Sequence, residues 1–165
     1  AMLTGNYGAA ITPSPKMEGQ IPVSKSIIVA VAGGFDPFNI GHLRHFEAAK
    51  ALGDYLVVLV SNDEDMVRKK GYCFMPFGER IEILKALRCV YDAIPTIDKD
   101  GTQAETLRMV RPNLFAKGGD RSPGNMPENE IKVCQELGIE IRYGIGELMG
   151  SSRDYVRKAW EQIKK

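Results

Sequence analysis

The segment at residues 32–42 holds the residues of this sequence best suited to binding phosphate. It reads Ala-Gly-Gly-Phe-Asp-Pro-Phe-Asn-Ile-Gly-His and joins a short apolar run to an amphipathic stretch. The glycine pair lets the backbone approach a ligand closely, and the first turn of a helix offers free N–H groups with partial positive charge. Asn39 is a suitable N-cap and stands three residues before His42, so both can lie on one face. Alone, the pair could instead only cap a helix and pack against a sheet.

Two further segments carry cations or hydroxyls that suit phosphate. A basic triplet ends in Lys70, and a lysine on a mobile loop there could neutralise the charge of a bound phosphate, with Lys69 as second choice. Taken alone, the triplet could be only a solvated face. Near the C-terminus, Ser151 and Asp154 fit a capping pair that opens a helix. The same helix start offers a second hydroxyl and a guanidinium able to bind phosphate through two hydrogen bonds, Ser152 and Arg153.

Short apolar runs rich in β-branched residues alternate with longer amphipathic stretches from residue 27 onward. This alternation predicts strands and helices in turn, and therefore an α/β fold with a Rossmann-like, doubly wound, five-stranded parallel sheet in a single domain. The predicted strands are residues 27–32, 55–60, 93–97, 113–116 and 140–143. The predicted helices are residues 41–52, 78–87, 102–110, 127–137 and a last one after Ser151.

Local signals mark several helix ends and place the site. Thr102 and Glu105 fit a Thr-x-x-Glu capping box, Pro127 suits a first helical turn, and Gly138 is a natural C-terminal stop. Ligands of open α/β sheets bind beyond the carboxyl ends of the strands, near the point where the strand order reverses. The Lys-Gly-Gly-Asp segment at residues 117–120 follows the fourth predicted strand, so it could contact a base or substrate, or be only a turn.

Composition and charge limit the class of protein. The 165 residues, 44% hydrophobic and 26% charged, suit one globular domain at residues 27–165. An arm at residues 1–26, rich in Gly, Pro, Ser and Thr, precedes it, and we interpret Ala1 as a tag remnant. With a net charge of +1, the chain lacks the broad basic field that would attract nucleic acid or an anionic membrane. Three widely spaced cysteines form no disulfide or zinc pattern, and no apolar run reaches membrane-spanning length. We expect a cytoplasmic protein that binds neither nucleic acid nor membrane.

The phosphate-binding segment resembles a known signature. Residues 34–42, Gly-Phe-Asp-Pro-Phe-Asn-Ile-Gly-His, are similar to the GxFDxxHxGH string of the cytidylyltransferase-like nucleotidyltransferases, which include glycerol-3-phosphate cytidylyltransferase and heptose-phosphate adenylyltransferase. Asn39 stands in place of the first histidine, where the related pantetheine-phosphate adenylyltransferases have Thr. Residues 111–120 resemble the Arg-Pro-Asp-x-x-x-Lys-Gly-Gly-Asp stretch of heptose-phosphate adenylyltransferases, and residues 70–80 resemble the family's Lys-Gly loop and Glu-Arg helix start. The resemblance runs from about residue 27 to residue 157.

The resemblance implies an enzyme that transfers a nucleotidyl group from ATP or CTP to a phosphorylated sugar or alcohol and releases pyrophosphate. Mg²⁺ would be bound mostly through the triphosphate and waters. The catalytic residues implied are Asn39, His42, Lys70 and Arg153. The nucleotide-binding residues implied are Gly33, Gly34, Phe35, Asp36, Gly41, Lys117, Gly118, Gly119, Asp120, Ser151 and Ser152, and the substrate-binding residues are Asp36, Asp63 and Arg80. Family members are often dimers, so a homodimer is expected.

Two other functions stay open. Asn39 cannot carry the proton charge of a histidine, so the chain could be a nucleotide-binding or regulatory protein of the same fold with weak catalysis. It is also similar to archaeal flavin-adenine nucleotide synthetases, and an adenylyltransferase of that kind is the other alternative. A dinucleotide-dependent oxidoreductase is disfavoured, because the GxGxxG string is missing and no acidic residue ends the second predicted strand.

Overall fold

The structure, a computed structural model, describes residues 26–146 and 151–165. The arm expected at residues 1–26 lies outside these ranges except for Ser26, so its prediction is untested. In chain order the elements are β1 (Ile28–Gly33), α1 (Ile40–Lys50), β2 (Tyr55–Val60), α2 (Asp63–Lys70), α3 (Phe77–Ala86), β3 (Asp92–Pro95), α4 (Ala104–Val110), β4 (Leu114–Ala116), a 3₁₀ turn (Pro123–Asn125), α5 (Glu128–Leu137), β5 (Glu140–Arg142) and α6 (Ser152–Ile163).

The five strands form one parallel sheet in the order β3-β2-β1-β4-β5. The central strand, β1, pairs with β2 along its whole length and with β4 on its other side. Alternate residues of β1 point to opposite faces, so Ala30 packs in a core with α4 and α5 while Val31 packs in a second core with α1 and α3. The predicted fold class is confirmed. The chain crosses between the two halves of the sheet after β3, so the strand order reverses between β1 and β4.

Lys70, expected to lie on a mobile loop, is the last residue of helix α2, so that expectation is wrong. The side-chain oxygen of Asn62 caps the helix by accepting the backbone N–H of Asp65 at 2.8 Å, and Gly71 ends it with a φ of +85°. Acidic residues fill its first turn and basic residues its last, as the helix dipole favours. Lys70 therefore stands on the last turn of a helix that points at the site.

Helix α4 begins two residues later than predicted, because Thr102 is not its cap. Gln103 occupies the N-cap position and makes no side-chain capping bond. The carboxylate of Asp98 instead accepts the backbone N–H groups of Glu105 and Thr106, at 2.7 and 3.0 Å. The predicted Thr-x-x-Glu capping box is therefore wrong. The predicted helix ends that are confirmed are Asn39 before α1, the pair Ser151 and Asp154 at α6, and Gly138 after α5.

Candidate functional site

A cleft of about 660 Å³ opens at the carboxyl ends of β1 and β4, where the strand order reverses. Its wall consists of the loop after β1, the first turns of α1 and α6, the last turn of α2 and the segment after β4. Open parallel sheets bind ligands at this place. The predicted site residues that line the cleft are Gly33, Gly34, Phe35, Gly41, His42, Lys70, Lys117, Gly118, Gly119, Asp120, Ser151, Ser152 and Arg153.

Asn39 joins the two helix starts at the cleft. Its side-chain oxygen accepts the backbone N–H groups of Gly41 and His42, at 3.0 and 3.4 Å, and so caps α1. Its amide nitrogen donates to Ser152 Oγ on α6 at 3.2 Å and to the Pro37 carbonyl at 3.3 Å. Ser152 Oγ in turn donates to that carbonyl at 2.9 Å. Asn39 thus caps α1 as expected, while its contact with phosphate stays a prediction.

His42 presents a neutral imidazole to the cleft. Its Nδ1 lies 3.2 Å from the backbone N–H of Asn39 and must accept that hydrogen, so the proton of the neutral ring is on Nε2. The pKa of His42 is lowered from 6.5 to about 4, chiefly by burial and also by the nearby Lys70 and His45. At neutral pH the ring is therefore a hydrogen-bond donor without a charge.

Phe35 supports the His42 ring from a conformation that few non-glycine residues adopt. Its φ is +54°, and its buried ring packs edge-on against His42 with 5.1 Å between centroids. The preceding glycine has a packing reason, since a Cβ on Gly34 would overlap the thioether of Met66 on α2. The conformation of the loop after β1 is therefore fixed in part by its packing against α1 and α2.

Two cations from different helices face the mouth of the cleft. Lys70 Nζ, at the end of α2, lies 3.4 Å from the Asp36 carbonyl oxygen. Arg153, in the first turn of α6, donates from Nη2 to the Lys69 carbonyl at 3.0 Å. Burial lowers the pKa of Lys70, and Arg153 adds to this effect while Asp36 opposes it. An anion bound between the two cations would relieve this repulsion.

The segment after β4 supplies the opposite wall. Lys117 is tied to β5 by its backbone N–H, which donates to the Arg142 carbonyl at 2.7 Å. Its ammonium lies 4.5 Å from the centre of the Phe115 ring. Burial lowers the pKa of Lys117, and the buried carboxylate of Glu130 opposes that shift. Gly118 is close to Asp120, where an added Cβ would lie 3.4 Å from the carboxylate.

Arg80 belongs to a buried network behind the cleft rather than to its wall. Its side chain is fully buried, and Nη1 donates to the Gly34 and Ser61 carbonyls, each at 2.8 Å. Nε donates to the Met75 carbonyl at 2.8 Å, and Nη2 pairs with Asp63 Oδ1 at 2.7 Å. The guanidinium thus ties the ends of β1 and β2 to the loop before α3. Direct contact of Arg80 or Asp63 with substrate stays a prediction.

Asp36 holds the other side of the same loop. It is fully buried, and its two carboxylate oxygens accept the backbone N–H groups of Phe74 and Met75, at 2.7 and 2.6 Å. These bonds occupy both oxygens, and the geometry gives the carboxylate a positioning role. Contact of Asp36 with nucleotide or acceptor also stays a prediction.

Six residues that line the cleft were not among the predicted site residues: the apolar Ala32, Ala116 and Ile145, and the polar His45, Arg121 and Asp154. His45 comes three residues after His42, which is one helical turn, so helical spacing alone was a signal that could have found it. Arg121 directly follows the predicted Lys-Gly-Gly-Asp segment. Its chemistry suits phosphate, but no local pattern sets it apart from the other arginines of the chain.

Residues 30–144 match the family model described as cytidylyltransferase-like. The chain belongs to the cytidylyltransferase-like family. It is 37% identical over 114 residues to the "Bifunctional protein HldE" of Streptomyces coelicolor, a match that covers 68% of this chain and 24% of that protein. It is 35% identical over 100 residues to the "FAD synthase" of Pyrococcus abyssi, covering 59% of this chain and 66% of that protein. The predicted family resemblance is confirmed.

A solved structure supports the same assignment. The lipopolysaccharide core biosynthesis protein of Thermoplasma volcanium superimposes with a TM-score of 0.62 at 27% identity, covering 76% of this chain and 99% of that one. The bifunctional relatives are much longer than this chain, which spans about a quarter of their length. No helix within the described residues is long and apolar enough to cross a membrane.

Proposed function

We propose that this chain is a nucleotidyltransferase that transfers a nucleotidyl group from ATP or CTP to a phosphorylated sugar or alcohol and releases pyrophosphate. The observation that carries the proposal is the convergence of one neutral donor and two cations, His42, Lys70 and Arg153, with the N-termini of α1 and α6 in a single cleft. Helix N-termini and cations favour a polyphosphate. The family and the names of its relatives support the same reaction class.

The chemistry needs position and charge rather than a base. A phosphate oxygen of the acceptor, already ionised at neutral pH, attacks the α-phosphorus in line, and the bond from the α-phosphorus to the bridging oxygen breaks as pyrophosphate leaves. His42 donates from Nε2 to an α-phosphate oxygen, and Asn39 keeps the ring in that tautomer. Lys70 and Arg153 neutralise the charge that grows on the leaving pyrophosphate.

Magnesium fits this cleft as an ion held largely by the substrate. Among the described residues, no group of three or more His, Cys, Asp or Glu side chains is placed to bind a metal ion. Mg²⁺ commonly binds through one or two carboxylates together with substrate phosphates and waters. Asp120 and Asp154 are carboxylates of the cleft wall and would hold it with the triphosphate. When bound, the ion supplies further charge neutralisation.

An acceptor that carries a flavin is the second candidate. The identity of 35% to an archaeal FAD synthase favours adenylyl transfer to flavin mononucleotide.

We also propose that the protein is a cytoplasmic homodimer, as the family resemblance and the cysteine pattern suggest. The three cysteines lie within the described residues, and none of them forms a disulfide. Light scattering of the purified protein tests the dimer.

Pyrophosphate release tests the reaction. The purified protein with Mg²⁺ is offered ATP or CTP together with sugar phosphates, glycerol phosphate or flavin mononucleotide, and we expect release with one pair of substrates. His42→Ala should lower kcat by about two or more orders of magnitude, because its hydrogen bond strengthens as charge develops. Glu47→Gln, at an exposed position of α1, is the matched control. Triphosphate binding without release for every acceptor would instead favour the regulatory alternative.

A further inference from the structure

His45 lines the cleft one helical turn after His42, and a hydrogen bond to the backbone determines its tautomer. Its Nδ1 lies 2.6 Å from the Ile145 carbonyl oxygen. A carbonyl oxygen only accepts hydrogen bonds, so Nδ1 carries the proton. Burial lowers the pKa of His45, and the charge of Lys117 lowers it as well, while Ile145 and Asp120 oppose the shift. In the neutral ring Nε2 is then a hydrogen-bond acceptor, and no described residue donates to it.

The ring is held in place from the side of β5. Gly146 packs so closely on α1 that an added Cβ would lie 2.8 Å from His45 Cα, and its φ of +92° suits glycine alone. The neighbouring Ile145 is fixed to the cleft wall by its backbone N–H, which donates to the Lys117 carbonyl at 2.9 Å. Movement of His45 away from the cleft would break the Nδ1 bond to Ile145.

An uncharged acceptor at this place does not suit phosphate. Phosphate oxygens accept hydrogen bonds, and the donors that face them in the cleft are His42, Lys70, Lys117, Arg121 and Arg153. The Nε2 of His45 needs a ligand that donates. A nucleoside triphosphate has donors in its ribose hydroxyls and, for adenine and cytosine, in the exocyclic amine.

Distance along α1 decides between these donors. His45 stands three residues from His42, so the two side chains are about 5–6 Å apart at Cβ. In a nucleotide, the ribose follows the α-phosphate directly, whereas the base amine lies farther along. We propose that His45 Nε2 accepts a hydrogen bond from a ribose hydroxyl of the bound nucleoside triphosphate and so favours nucleotides that carry this hydroxyl over the deoxy form that lacks it. This inference rests on the proposed function, because it requires a triphosphate with its α-phosphate at His42.

Binding measurements on the purified protein test the assignment without turnover. Calorimetric titrations compare ATP and CTP, and then the 2′-deoxy and 3′-deoxy forms of the tighter ligand, with Mg²⁺ and no acceptor. For the wild type we expect one deoxy form to bind about three- to tenfold more weakly, the value of one hydrogen bond between neutral groups. His45→Phe keeps an aromatic ring without the acceptor, so the ribonucleotide and that deoxy form should bind equally well.

Two further variants serve as controls for a general loss of structure. His45→Gln retains an oxygen acceptor and should keep part of the ribose preference, and the exposed Glu47→Gln should keep all of it. Equal binding of ribo and deoxy forms by the wild type, or an unchanged preference in His45→Phe, would overturn the inference. If His45→Phe instead lost a preference for ATP over inosine triphosphate, the residue would read the base and the ribose assignment would be wrong. A wild type that binds no triphosphate would refute the proposed function itself.

Discussion

The donor that His42 offers to the cleft depends on a backbone group of Asn39. The Asn39 backbone N–H donates to His42 Nδ1, and the Asn39 side chain caps α1 and donates to Ser152 on α6. This one residue therefore orients the His42 ring and joins the two helix starts. The two residues could be recognised in the sequence from their spacing. The tautomer and the neutral state could not, because the first depends on a single hydrogen bond and the second on burial.

The protonation state of His42 can be observed directly. His42 and His45 are the only histidines in the chain, so their imidazole signals can be assigned in NMR spectra by comparison with His45→Phe. We expect His42 to titrate at about pH 4 instead of 6.5. Since its pKa is lower in the folded than in the unfolded protein, the free energy of unfolding should fall as the pH drops from about 6.5 towards 4. A midpoint above pH 6 would contradict the buried, neutral ring.

Asn39→Asp separates capping from phosphate binding. A carboxylate accepts the same N–H groups of α1 but cannot donate to Ser152 Oγ and the Pro37 carbonyl, so the free energy of unfolding should fall by about 1 kcal/mol. The new negative charge lies beside the phosphate site and should weaken triphosphate binding. Asn39→Ala loses the same donations and also removes the cap, so it should cost about 1 kcal/mol more than Asn39→Asp in chemical denaturation. Undiminished triphosphate affinity in Asn39→Asp would place the phosphates away from α1.

At the scale of elements, strong apolar patterns were predicted well and short polar helices were not. The strand at residues 55–60 has six buried apolar residues, and its predicted and observed bounds agree. Helix α2 buries only Asp65 and Met66, so it has little apolar periodicity to detect. Asn62 and Gly71 nonetheless mark its two ends, and this N-cap and C-cap pair was the signal that could have predicted the helix. The cap of α4 was missed because Asp98 lies outside the first turn that a capping pattern covers.

Asp98→Ala and Thr102→Ala test which residue caps α4. Asp98 is buried and accepts two backbone N–H groups, so its loss leaves buried donors unsatisfied and should lower the free energy of unfolding by about 1–3 kcal/mol. The Thr102 hydroxyl donates to exposed Asp100, and its loss should cost less than about 0.5 kcal/mol. Urea denaturation of both variants measures the difference. A larger effect for Thr102→Ala would restore the capping box expected from the sequence.

At the scale of the whole molecule, the sheet topology assembles the cleft from segments that are far apart in sequence. Parallel strands bring the residues after β1 and β4 to one edge, where this rule predicts a ligand site, and the segments after both strands line the cleft. The rule does not show which side chains lie in the wall and which lie behind it. Asp36 and Arg80 form their bonds mainly with backbone groups of the glycine loop and residues 61–75. Such partners become visible only once the fold has formed.

We therefore expect Arg80 to contribute mainly to the stability of the fold rather than to substrate binding. Arg80→Met leaves the carbonyls of Gly34 and Ser61 without their donor and should lower the free energy of unfolding by about 3–5 kcal/mol. Arg80→Lys keeps the charge but cannot reach four acceptors at once, so it should also be destabilised. Arg108→Met, which removes an exposed arginine paired with Glu136, should cost less than about 1 kcal/mol. If Arg80→Lys kept full stability and only raised the KM for the phosphorylated acceptor, the guanidinium would contact substrate and the buried network would not be its main role.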